Sequence, residues 1–186
     1  VIYHSALRAF LELPDKAWAE FEQTGRIQWA TDLAEIPQKF GVTNVYAEIG
    51  TSFANSAVAH PKFCAALIGT LIKGMGVDHV MWGTDSVWYG SPQWQIEALW
   101  RFQIPDDMAK KYGYPRLTND IKRKILGLNG AKLFKLKSST PAAYKPVPAN
   151  FQTMIPDDLK RRLADEPGYR GCTALLPADH MTRPRS

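Results

Sequence analysis

The stretch "DHVMWGTDSVWYGSPQWQIEALW", residues 78–100, decides how this chain is read. A short apolar run ends in Gly83-Thr84-Asp85, a loop carrying Trp88 and Tyr89 follows, and a helix is expected from about Pro92 to Phe102. Side chains alternate along a strand, so Asp85 shares a face with Gly83 and Met81, while Thr84, Trp82 and Val80 take the other. The bulkier set suits covering helices. The face bearing Asp85 points elsewhere, which in a closed parallel barrel is the interior at its C-terminal rim. An ionised carboxylate is costly to bury there without donors or a cation, and a divalent metal is one natural partner.

Two earlier segments repeat the pattern. Val1 to His4 reads as a strand closing at His4, and "TNVYAEIG", residues 43–50, reads as a second strand with Glu48 near its end. Between and after these lie helical stretches. "LPDKAWAEFEQTG" has Asp15 as a cap and Gly25 as a stop, and "TDLAEIPQKFG" begins on Thr31 or Asp32 and must kink or split at Pro37. "HPKFCAALIGTLIKGMG" opens on Pro61 and closes at Gly74 or Gly76; "DDMAKKYG" is a short helix; "TNDIKRKILGLNGAKLFKL" reads as two helices meeting near Gly127. Strands alternating with helices imply an α/β fold whose strands lie parallel, joined by right-handed crossovers. Beyond residue 136 the composition turns to Pro, Ser and Ala, read as a linker and an extended, partly helical tail over 137–186.

Imidazole and carboxylate at neighbouring strand ends are ligands that zinc, iron and manganese accept. His4 and Asp85, with Glu48 between them, are therefore the candidate site, able to hold a metal that activates water while one of them moves a proton. Plainer readings stand beside this one. Asp85 can cap the following helix or loop, His4 can be a hydrogen-bonded structural histidine, and Glu48 can pair with a lysine or arginine on a packing helix. Trp82, Trp94 and Trp100 are read as packing residues, whereas Trp88 and Tyr89 fall in the loop after Asp85 and are candidate substrate contacts. His60, His79 and His180 are read as structural or solvated.

Composition narrows the partners. The chain has 186 residues, 45% hydrophobic, enough for a real core, and its formal charge of +5 is spread without a basic stripe, so a small-molecule substrate is expected rather than nucleic acid. No apolar run approaches the ~20 residues of a membrane span. Cys64 and Cys172 fit neither a metal knuckle nor a disulfide framework, which suggests a reducing, cytoplasmic setting. The opening "VIYHS" enters a strand directly, the pattern of a fragment.

Together, "VIYHS", "NVYAEIG", "HVMWGTDS" and "ILGLNGAKLF" resemble the last three strands and final helix of the amidohydrolase superfamily, in its amidohydrolase 2 group. The resemblance implies that residues 1–136 are strands six to eight of a (β/α)8 TIM barrel. It implies that Asp85 binds a catalytic divalent metal, zinc first with manganese or iron as alternatives, and serves as general base. His4 would contact the substrate or the metal-bound water, or ligate a second metal. Strands one to five and their ligands have no counterpart here, so the chain is expected to be inactive alone. The implied activity is hydrolysis of an amide or ester-type bond of a small, cyclic or aromatic substrate by metal-activated water; decarboxylation of an aromatic acid on the same fold is the alternative. Glu48, Trp88 and Tyr89 are the expected substrate contacts, and homo-oligomerisation is compatible with this reading. A non-catalytic interaction domain is the reading from another class.

Overall fold

The three segments read as strands lie side by side and parallel, in the expected order, but each is much shorter than its apolar run. A computed structural model gives this arrangement and describes residues 1–7, 14–86 and 90–136. The chain divides into two units, Val1–Ser138 and Ser139–Ser186. The expected tail helix, Cys172, His180, Trp88 and Tyr89 lie outside the described residues.

Strand β1 is Ala47–Glu48 and strand β2 is Val80–Met81, paired in parallel with Ala47 opposite Val80 and Glu48 opposite Met81. Ile2 adds a parallel bridge to Ala47 on the other side of β1. The expected strands of four to eight residues are thus corrected to two residues or a single bridge, and the cause is visible in the hydrogen bonds. After Ile2 the chain turns left-handed, and Gly50 already belongs to a helix. The Trp82 N–H donates to the carbonyl of Ile125 at 3.0 Å, so the ladder ends on a helical segment instead of a further strand.

The helices are α1 (Pro14–Thr24), α2 (Ala30–Phe40), α3 (Gly50–Ala59), α4 (Pro61–Met75), α5 (Gln93–Arg101), α6 (Asp106–Tyr112), α7 (Asn119–Arg123) and α8 (Asn129–Leu133). A π-helical turn, Lys124–Leu128, joins the last two. Helix α4 is the centre of the core. Phe63 through Ile72 are buried without a break, the signature of a helix that is apolar all round and covered on all sides. Helices α2 and α3 and strand β2 pack against it. On α2, Ala30, Leu33 and Ala34 form the inward stripe at helical spacing.

Two expectations about helices are corrected. Pro37 neither splits nor interrupts α2, which runs on to Phe40 and stops at Gly41 in the left-handed conformation. A proline there removes one backbone bond, but packing on α4 holds the helix. Thr31 is not the cap of α2; its hydroxyl instead accepts the Ile27 N–H at 2.8 Å and ties down the preceding turn. The two helices expected to meet near Gly127 are α7 and α8, and the π turn Lys124–Leu128 carries one into the other as a continuous helical run. The Asn129 side chain donates to the carbonyls of Val77 (2.7 Å) and Val80 (2.8 Å), stapling this run to β2. That gives the Gly-Leu-Asn-Gly motif a structural purpose.

Candidate active site

Where the three parallel segments end, the backbone takes conformations that L residues avoid. His4, Ser5 and Ala6 have φ of 53, 53 and 54°, and Asp85 has φ of 46°. Left-handed backbone costs a non-glycine residue about 1–2 kcal/mol, so neighbouring groups must hold these four residues in place. Such strain is concentrated at functional sites.

The holding groups are polar. The Glu48 carboxylate accepts the His4 N–H on Oε2 at 3.0 Å and the Gly50 N–H on Oε1. Ser5 donates its hydroxyl to the Glu48 carbonyl at 2.9 Å, and Ser52 donates to the His4 carbonyl at 2.5 Å. Asp85 Oδ2 accepts the Thr51 N–H at 2.8 Å and also the Thr51 hydroxyl. The first turn of α3 therefore distributes its donors residue by residue: Gly50 to Glu48, Thr51 to Asp85, Ser52 to His4. Two anions at a helix N-terminus also meet the favourable end of its dipole.

This brings the predicted residues together. His4 Nδ1 lies 3.5 Å from Asp85 Oδ2 and 3.7 Å from Glu48 Oε2. The His4 side chain is 40% exposed, Asp85 24% and Glu48 7%, so His4 and Asp85 face solvent while Glu48 lies beneath them. Room for Glu48 is made by two glycines. A methyl group at Gly50 or Gly83 would overlap Glu48 Oε1, and at Gly50 it would also come within 2.9 Å of Asp85 Oδ2. Asp85 accepts the Thr51 N–H in the first turn of α3, across the sheet, and so caps that helix. Among the described residues Glu48 is held by the backbone amides of His4 and Gly50, with the His4 imidazole nearby, and no lysine or arginine pairs with it.

Other predicted residues lie apart. His79 stacks on Tyr46 and shares a 2.9 Å hydrogen bond with the Val45 carbonyl, and His60 stands at the start of α4, 3.9 Å from Asp15. Cys64 is fully buried and burial pushes its thiol up to about 12, so it offers no thiolate. The residues missed in sequence were Ser5, Thr51 and Ser52. A signal for Thr51 and Ser52 existed: Gly-Thr-Ser directly after a strand is a helix-start pattern, whereas the strand expected over residues 43–50 takes in only its Gly50.

The chain matches the family model described as Amidohydrolase over residues 23–136. The match covers more than half of the chain and includes Glu48, Thr51 and Asp85, while His4 precedes it. The chain belongs to this family. No curated protein and no solved structure matches it.

The superfamily is hydrolase-like and generally uses divalent metals. Among the described residues no group of three or more His, Cys, Asp or Glu side chains is placed to hold an ion. Each oxygen of Glu48 takes one backbone N–H donor, His4 on Oε2 and Gly50 on Oε1, so its first role is to hold the backbone. What fits a divalent cation is a pair of donors, the His4 imidazole and the Asp85 carboxylate, whose chemistry zinc, manganese and iron accept.

Proposed function

We propose that this chain supplies strands six to eight of a metal-dependent amidohydrolase barrel, with His4 and Asp85 as its contribution to the active centre. The observation that carries the reading is the 3.5 Å approach of His4 Nδ1 to Asp85 Oδ2 at one end of the parallel sheet, in a chain of this family. A divalent cation bound there, most simply zinc, would supply Lewis acidity toward the substrate carbonyl and acidify water. His4 and Asp85 would be two of its protein ligands.

In this reading Asp85 accepts a proton from the attacking water and returns it to the leaving group, the work of a general base turned acid. The half-exposed His4 imidazole orients the substrate by a hydrogen bond. Glu48 acts on the reaction through the position of His4, whose strained backbone it pins. The substrate is a small molecule with an amide or ester-type bond, and Trp88 and Tyr89, which follow Asp85 closely in sequence, favour a cyclic or aromatic one.

The test is Asp85→Asn in the complete enzyme. Asn keeps the volume and can still accept the Thr51 N–H, so the melting temperature should hold within a few degrees, while turnover falls by at least ~100-fold, the scale of a lost general base. Metal content should fall with it. Wild-type turnover with full metal occupancy would reduce Asp85 to the cap of α3. Product analysis then separates the chemistries: a released amine or alcohol marks hydrolysis, whereas carbon dioxide marks decarboxylation.

A further inference from the structure

The donors on Asp85 are distributed unevenly between its two oxygens. The Thr51 N–H and the Thr51 hydroxyl both donate to Oδ2, and His4 Nδ1 approaches that same oxygen. Among the described residues, Oδ1 accepts no hydrogen bond. A carboxylate oxygen has two in-plane lone pairs, and here one residue occupies both. We infer that Thr51 is a positioning residue for Asp85: its two donors fix the rotation of the carboxylate and leave Oδ1 as the oxygen presented to the site. This inference rests on the reading of Asp85 given above.

Three features make the arrangement more than a helix cap. A backbone N–H alone caps a helix end equally well from any side chain with an oxygen; the hydroxyl adds a second direction, and two directions fix a plane. Asp85 itself has positive φ, so its backbone does not choose the carboxylate orientation cheaply and an external hold is required. Gly50, immediately before Thr51, is where any side chain would press on Asp85 Oδ2 and Glu48 Oε1, so the helix approaches both carboxylates as closely as a chain can. The consequence is that, among the described residues, Oδ2 faces Thr51 and His4 while Oδ1 is the oxygen left to a cation or a proton.

The experiment compares Thr51→Val, which keeps the shape and the backbone N–H but removes the hydroxyl, with Thr51→Ser, which restores it. In the complete enzyme, stripped of metal and titrated with Zn²⁺ alone, Thr51→Val should weaken zinc binding ~10- to 100-fold, the usual effect of losing a hydrogen bond to a metal ligand. It should lower kcat by a similar factor with KM within ~3-fold, and Thr51→Ser should recover both. The double variant Thr51→Val with Asp85→Asn should be no worse than Asp85→Asn alone, because Thr51 acts through that carboxylate. Should Thr51→Val fail to fold, Thr51→Ala carries the same comparison with Thr51→Ser. Wild-type zinc affinity and kcat in Thr51→Val, or losses that multiply in the double variant, overturn the inference. If Asp85→Asn binds zinc and turns over normally, the reading of Asp85 falls and this inference with it; if only Thr51→Val is silent, the inference alone falls.

Discussion

The surroundings of α4 and the rim where His4, Glu48 and Asp85 meet are built on opposite plans. Around α4, side chains from Phe63 to Ile72 are buried against α2, α3 and β2, and each apolar contact is one of many. At the rim, His4, Ser5 and Asp85, all with left-handed backbone, are held by a handful of directed hydrogen bonds, most of them from the first turn of α3. Apolar packing is non-directional, so the first region tolerates changes of shape but resists loss of volume. Hydrogen bonds are directional, so the second fails when one donor or one ångström of space is altered. Stability resides in the first region and geometry in the second.

The largest effect should come from hollowing the core. Leu67 is completely buried in α4, and Leu67→Ala should destabilise the protein by about 2–5 kcal/mol through lost transfer energy and the cavity left behind. Urea unfolding measures it, and the folded fraction should keep its kcat. A cost below ~1 kcal/mol would mean that α4 is not the centre of the core.

At the rim, a single added methyl should be felt. Gly83→Ala pushes on Glu48 Oε1, and overpacking of this kind costs about 1–3 kcal/mol. Because Glu48 holds the His4 backbone, kcat should fall too, the reverse of the Leu67 pattern. The control is Gly127→Ala in the terminal helical run, where an added methyl meets nothing within 4 Å and stability should rise slightly or stay level. Equal behaviour of the two variants would erase the distinction between the regions.

The smallest effect compares two buried charges. Glu48 is ringed by donors, but Lys122, 2% exposed, makes one bond from Nζ to the Trp100 carbonyl at 2.7 Å, and burial depresses the pKa of its ammonium group. Folded Lys122 thus releases its proton at lower pH than the unfolded chain does. As pH climbs from the folded pKa toward the ordinary 10.5, the unfolded state binds more protons, so stability should rise with pH. Denaturant midpoints between about pH 8 and 10.5 should show a steeper rise in wild type than in Lys122→Met. Parallel slopes would place the lysine in water.

Much of the helical frame was legible in the sequence because its signals are local. Pro61 at a helix start, Gly41, Gly76 and Gly113 past helix ends, and the apolar spacing of α2 each act within a few residues. The parallel order of the three segments was also readable, since the crossover rule leaves few alternatives. Strand lengths were not. An apolar run reports burial, and Val45 to Ile49, apolar but for Glu48, reads the same whether the chain stays extended or, as here, turns into α3 at Gly50. Pro37 misled for the same reason in reverse: the local penalty is real, and packing on α4 outweighs it.

The sequence by itself determined which residues are the candidates for the chemistry. Asp85 after Gly-Thr, His4 closing an apolar run and Glu48 inside one stand out because a polar group at a strand end is costly unless it has work or a partner. Only the tertiary structure decided what those partners are. Thr51 lies 34 residues from Asp85, and His4 lies 44 from Glu48, separations at which no local pattern speaks. Their meeting depends on the register of three parallel segments and on where α3 begins. The choice of one carboxylate oxygen over the other comes from a hydroxyl whose position exists only once the chain has folded.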